Sequence, residues 1–327
     1  TLGSAQAGEM SVSGGINTTL KFGKGGGNTT RSIGADKDVA FTGGGELDNG
    51  TTFSMTATTN DAHGISSSTT TITTPSLGSF SLGSSSGSAS YMYDEEVPTA
   101  YEQVSDGKDT MANKVGDFMD NNSVMYTSPT LELMGASITA HVGYSPKAND
   151  EAVGDGASLS YVATVGAGKE AGITISYEGL KLGFYGAERD RTVPQVAAAT
   201  GNYQTDEFNG AWYATYTFGN TKLGYSKSFV ALPTAKTATT YESVFGHKYS
   251  ALIAVNDDLS ISYGVEKSET THMLASTADV EQEVTQIAAA YTTGGLTLAV
   301  SMNSYENALY TANKDVNSTV FNVSMAF

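Results

Sequence analysis

Alternation with a period of two recurs from one end of this chain to the other, and no other pattern limits its fold as sharply. Over residues 316–327, Phe321, Val323, Met325 and Phe327 share one face, and Asn322, Ser324 and Ala326 share the other. Leu259, Ile261, Tyr263 and Val265 alternate in the same way with Ser260, Ser262, Gly264 and Glu266. Such a strand presents one face to an apolar medium and the other to something polar. A half-buried sandwich strand has the same period, so the makeup of the second face decides between them. Its residues are Ser, Thr, Gly, Asn and Lys, too small and polar to fill a core at protein packing density. That face is expected to be wet and the apolar face to meet lipid. Hydrocarbon satisfies no unpaired backbone group, so the arrangement demands a closed barrel.

Reading alternation between turn signals divides the chain into sixteen strands, with short turns and long polar loops in alternation. The expected strands are 9–22, 37–47, 51–60, 67–74, 79–86, 122–130, 136–144 and 170–178 in the first half. They continue at 180–189, 208–218, 221–229, 247–255, 258–267, 281–292, 295–304 and 316–327. Short turns are marked by Leu47-Asp48-Asn49-Gly50, Pro75-Ser76-Leu77-Gly78, Glu178-Gly179, Gly219-Asn220, Asn256-Asp257 and Gly294-Gly295. A Gly/Asn/Thr loop is expected between the first two strands, and the longest interruption follows the fifth, over residues 88–121. The stretch 157–165 reads as strand or loop; counted as a strand, it would spoil the even number that an antiparallel barrel with both ends on one side requires. Sixteen strands leave an aqueous channel instead of a side-chain core.

Composition removes the competing classes. With no cysteine there is no disulfide framework, thiol nucleophile or cysteine-ligated metal. The four histidines, His63, His141, His247 and His272, are scattered, and no GxSxG, HExxH or GxxxxGK[ST] motif occurs. No chemistry is expected of the chain. No apolar run reaches the roughly 20 residues of a spanning helix. A formal charge of −17 argues against nucleic acid and for attraction of cations. Ala5-Gln6-Ala7 ahead of Gly8-Glu9 reads as a signal-peptide remnant, so 1–8 is taken as an N-terminal segment and 9–327 as the barrel.

Outward aromatics mark both strand ends: Tyr177, Phe218, Tyr291 and Phe327 toward the short turns, Phe22, Tyr144, Phe229 and Tyr249 toward the loops, as in interfacial girdles. Strands two to five differ. Gly43, Gly45 and Ala57 face outward there, with Ser/Thr runs at 66–74 and 79–86, a surface suited to a neighbouring subunit of a cyclic oligomer.

The opening Gly8-Glu9-Met10-Ser11-Val12-Ser13-Gly14, the strand rhythm, the long loop after strand five and the closing Phe321 to Phe327 resemble the Gram-negative general diffusion porins, most closely the alphaproteobacterial, Rhodobacter-type branch. The resemblance spans essentially the whole chain. It implies an all-β, 16-stranded antiparallel transmembrane barrel in the outer membrane. The loop 88–121 would fold inward as a pore constriction, and homotrimers would form through strands 1–5 and 16. It also implies contact with outer-membrane lipid and lipopolysaccharide, and recognition of the terminal Phe327 by the outer-membrane assembly machinery. The cargo would be small hydrophilic solutes.

Within 88–121 lie Asp94, Glu95, Glu96, Glu102, Asp106, Asp109, Asp117 and Asp120 against Lys108 and Lys114 only. Folded inward between low-dielectric walls, these carboxylates would enrich cations. Lys21, Lys181 and Arg189, with Arg191 just beyond, are the candidate basic wall opposite. Only three arginines occur, Arg31 being the third, so the basic side is thin and the expected selectivity is weakly cationic. No cofactor is required; Ca2+ is a candidate at Asp94, Glu95 and Glu96, although the spacing fits no EF-hand. Two other readings stay open: a substrate-selective channel with Tyr185 and Tyr213 in a lumen track for a sugar or amino acid, and a surface β-rich structural or adhesion protein.

Overall fold

The computed structural model describes residues 8–25, 28–59, 64–84, 87–94, 96–104, 114–121, 123–148, 166–190, 207–231, 241–272 and 278–327. Within them, sixteen antiparallel strands close on themselves. They are β1 (Met10–Gly25), β2 (Asn28–Glu46), β3 (Thr52–Thr59), β4 (Ile65–Thr74), β5 (Gly78–Ser84), and β6, which is split into Ser123–Thr127 and Leu131–Leu133. Then follow β7 (Ala136–Ser145), β8 (Gly168–Tyr177), β9 (Leu180–Arg189), β10 (Glu207–Phe218) and β11 (Thr221–Ala231). The last five are β12 (Tyr241–Ala254), β13 (Leu259–His272), β14 (Val280–Thr293), β15 (Leu296–Glu306) and β16 (Val316–Ala326). Each strand pairs with its sequence neighbour. The ring shuts where β1 meets β16, from Gly15 opposite Ala326 to Gly25 opposite Val316. No described helix is long and apolar enough to cross a membrane.

Local chemistry explains the turns. At Glu178-Gly179 both central residues have positive φ, 43° and 87°, the mirror-image geometry that matches strand twist, and Met134-Gly135 repeats it at 51° and 85°. Two expectations need correction. The stretches 23–25 and 28–36 are strand, not loop: β1 and β2 continue as a ladder out to Gly25 opposite Asn28. Their Thr, Arg, Ser and Gly residues look like loop, yet a hairpin supplies its own hydrogen bonds whatever the side chains. The strand expected at 122–130 is interrupted at Ser128-Pro129, because proline brings no N–H to the ladder. The stretch 157–165 lies outside the described residues.

Cross-strand partners share a face, so the register sorts inside from outside. Phe184, Trp212, Leu223, Tyr249, Ile261, Ile287, Leu298 and Phe321 form an apolar outer belt of half-exposed side chains. The expected girdle residues Tyr177, Phe218, Tyr291, Phe327, Phe22, Tyr144 and Tyr249 are likewise outward and exposed. The wall is uneven in height. β3, β4 and β5 have 8, 10 and 7 residues, whereas β12, β13 and β14 have 14 each. Strand parity also splits the Ser/Thr runs: Thr69, Thr71 and Ser81 share the inner face, while Ile72, Phe80 and Leu82 point out. The outer surface there is a mosaic of small and apolar groups.

Candidate functional site: a segment seated on the inner wall

The site is built by the chain between β5 and β6, which turns inside the barrel. At its root the Gly87 amide donates to the Asp120 carbonyl (2.9 Å), so the two ends of the segment meet. Glu170, on the inner face of β8, accepts from Ser88 Oγ (2.8 Å), the Ala89 amide (3.0 Å) and the Tyr185 hydroxyl (2.7 Å). One buried carboxylate thus gathers three donors, the condition under which a buried charge is tolerated.

From there the segment runs along the wall and settles into positions that lack side chains. Tyr93 lies over Gly172, where a Cβ would come within 2.5 Å of its ring. It stacks on Tyr185 at 5.4 Å and tilts against Tyr213 at 6.3 Å. Burial pushes the Tyr93 hydroxyl up to about 12. Further on, Pro98 fills the space above Gly224, and Val104 sits over Gly264, where a Cβ would be 2.6 Å from its methyl group. Hydrogen bonds fix the same path: Ser250 Oγ donates to the Pro98 carbonyl (2.6 Å), the Ala100 amide to Ser262 Oγ (2.8 Å), and Gln286 Nε2 to the Gln103 carbonyl (3.0 Å). On the return, Met119 covers Gly168 and Phe118 lies under the Arg189 guanidinium at 5.0 Å. Asp120 is pushed up to about 7, first by burial, then by the nearby Asp117 and Glu170 carboxylates.

Beneath this segment the inner wall is dry. Ala89, Tyr93, Val115, Phe118, Met119, Tyr185 and Tyr213 belong to one buried apolar cluster. The expectation of a uniformly wet inner face therefore holds for only part of the wall. Asp36 and Asp38 on the inner face of β2 are exposed, and Lys21 on β1 is half-buried.

The model of the Gram-negative porin family matches residues 2–327. The chain belongs to that family. Porins are outer-membrane diffusion channels without enzymatic activity, and the closed barrel with its apolar outer belt is the corresponding architecture. No curated protein sequence matches it significantly. Among solved structures it is similar in fold to the in-vitro folded trimer form of OmpT of Vibrio cholerae, at 13% identity and TM-score 0.67, over 98% of this chain and 100% of that one. An anion-selective porin from Comamonas acidovorans gives 14% identity and TM-score 0.66 over 98% and 99%. A double mutant of Rh. blastica porin gives 15% and 0.56 over 98% and 100%.

In this porin the expected site residues fall into three groups. Glu96 meets Lys181 at 3.7 Å, and Lys181 Nζ lies 5.2 Å above the Tyr213 ring. Asp94 is half-buried next to them in sequence, its amide bonded to the Ser90 carbonyl (2.9 Å), and Glu102 is exposed with φ 45°. Arg189 is paired with Glu207 beneath the segment. Lys21 lies half-buried on β1. Glu95, Asp106, Asp109 and Arg191 lie outside the described residues, and with Glu95 so does the proposed calcium set; among the described residues no cluster of His, Asp or Glu is placed to hold a metal. Tyr185 and Tyr213 are buried under Tyr93, at 7% and 0% exposure, and line no track.

Sequence reasoning missed Glu170 and the buried pair Lys248–Glu266 at 3.5 Å. A signal existed. All three carry charge at inward parity in expected strands, and Lys248 stands directly opposite Glu266 once the 256–257 turn sets the register.

Proposed function

We propose that this porin is a general diffusion channel of the Rhodobacter-type branch that passes small hydrophilic solutes with a mild preference for cations, narrowed by the segment 88–121. The reading is carried by one observation: three of the inner wall's cations face carboxylates, while Asp36 and Asp38 on the same wall stand exposed. Lys181, Arg189 and Lys248 each face a carboxylate, Glu96, Glu207 and Glu266 respectively. Asp36, Asp38 and Glu102 remain exposed. Fixed negative charge inside low-dielectric walls raises the local cation concentration. The anion-selective Comamonas neighbour is consistent with selectivity set by charge placement on a shared fold.

A homotrimer is proposed through β1–β5 and β16, supported by the mosaic outer surface of β3–β5 and by the trimer form of OmpT. Outer-membrane lipid and lipopolysaccharide would meet the aromatic belt. Phe327, whose amide and carbonyl both bond Gly14 at 2.9 Å, is the proposed handle for the assembly machinery.

The test is electrical. Neutralising Asp94, Glu95 and Glu96 together lowers the cation-to-anion permeability ratio in planar bilayers, read from the reversal potential in a salt gradient. An unchanged reversal potential would show that this segment does not line the narrowing.

A further inference from the structure

The loop between β15 and β16 also turns inward. Its tip packs on the inner faces of β12–β14: the Leu309 amide donates to Gln282 Oε1 (2.7 Å) and the Tyr310 hydroxyl to Ser268 Oγ (3.1 Å). Gln282 and Ser268 are register partners on that face, both almost fully buried. Tyr310 further joins Val244 in a small apolar cluster.

The backbone is bent hard to get there. Asn307, Leu309, Tyr310 and Asn313 all have left-handed φ, 51°, 57°, 54° and 62°. Leucine and tyrosine rarely adopt that conformation, and it persists only where surrounding contacts over-determine it. Here they do. Asn307 Nδ2 donates to the Glu281 carbonyl (2.9 Å), its Oδ1 accepts from the Asn313 amide (2.9 Å), and the Ala308 amide donates to the Lys314 carbonyl (2.7 Å).

The tip also reaches the first inward segment. Ala308 shares a buried cluster with Val104, Val284 and Tyr305, and Val104 is the residue seated over Gly264. Leu309, beside it, is 45% exposed.

We infer that residues 307–313 form a second size-limiting element of the pore, one that narrows the passage beside β12–β14 and braces the first inward segment at Val104 through the buried cluster that Val104 and Ala308 share. The inference rests on the channel reading and adds to it the residues that set the exclusion limit on this side. Solutes would be sorted by girth and by contact with an apolar Leu309 tip.

The chain has no cysteine, so a single introduced thiol reports alone. Leu309→Cys in the full-length protein, treated in planar bilayers with a quaternary-ammonium methanethiosulfonate, loses current in discrete steps. Met302→Cys, on the outer face of β15, keeps its current under the same treatment. Tyr310→Ala, which keeps the loop but removes its buried ring, shows more frequent current fluctuations and a larger exclusion limit for neutral sugars in liposome swelling. If the Leu309→Cys protein conducts and its current is untouched by modification, or if Tyr310→Ala matches the unaltered protein in both measurements, the inference fails while the channel reading stands. A protein that conducts nothing before modification would overturn both.

Discussion

Two stretches of the inner wall are made of the same kinds of residue and meet opposite fates. On β8–β14, Glu170, Lys248, Glu266 and Gln286 are almost wholly buried, Glu170 and Gln286 bonded to the inward segment. On β1 and β2, Asp36 and Asp38 stand exposed and Lys21 half so. A lumen-facing charge in the open acts on passing solutes through its field; a covered one is committed to hydrogen bonds and holds the segment in place. The covered wall is thus structural and the bare wall electrical, although strand parity treats them alike.

That division is broken most severely at Lys248–Glu266. The pair lies at 3.5 Å with side-chain exposures of 3% and 0%. Removing one partner strands a buried charge, at a cost of about 3–5 kcal/mol. Lys248→Met is expected to lower the unfolding midpoint in denaturant sharply, whereas Lys248→Met with Glu266→Leu recovers most of the loss. The double variant leaves the reversal potential where it was, because the paired charges cancel. Asp36→Asn with Asp38→Asn gives the reverse result: a shifted reversal potential, with stability changed by no more than roughly 0.5 kcal/mol. Equal effects on both observables in the two variants would erase the distinction.

Glu170 sharpens the comparison further. Its carboxylate collects Ser88, Ala89 and Tyr185; in Glu170→Gln the amide nitrogen cannot accept, so at least one donor loses its partner. The expected loss is about 1–3 kcal/mol, localised at the root of the segment. Amide exchange at residues 87–93 should quicken and current noise increase, while exchange in β1 and β2 stays as before. Uniform quickening around the barrel would mean that Glu170 supports the whole sheet and not the seat.

The barrel itself was legible because lipid outside and water inside write a two-residue period into every strand, as at Leu259–Val265. The seat was not, for two reasons. Glycine at 172, 224 and 264 reads as a weak strand residue, and only the fold reveals that each absent side chain makes room for Tyr93, Pro98 or Val104. Likewise Arg189 and Lys181 have the parity of free pore cations, and no pattern along the chain announces that Glu207 and Glu96 reach them. Inward placement can be read from alternation; cover depends on where a loop lies down.

The smallest expected effect concerns pH and the closing contact of the segment. Asp120 is held at about 7, above its ordinary 3.8, by burial and by Asp117 and Glu170 beside it. A carboxyl that keeps its proton more tightly in the folded protein than in the unfolded chain contributes stability that is complete below about pH 4 and is lost as pH rises through about 7. The bond from the Gly87 amide to the Asp120 carbonyl should then loosen between pH 5 and 8. The exchange rate of the Gly87 amide, corrected for its intrinsic pH dependence, rises across that window in the unaltered protein. In Asp120→Asn, which carries no proton to lose, the corrected rate stays level. Amides of β1 and β2 are expected to stay level in both proteins. An equal rise in Asp120→Asn would assign the pH response to another group, and would leave the covered wall without a titrating lock at its root.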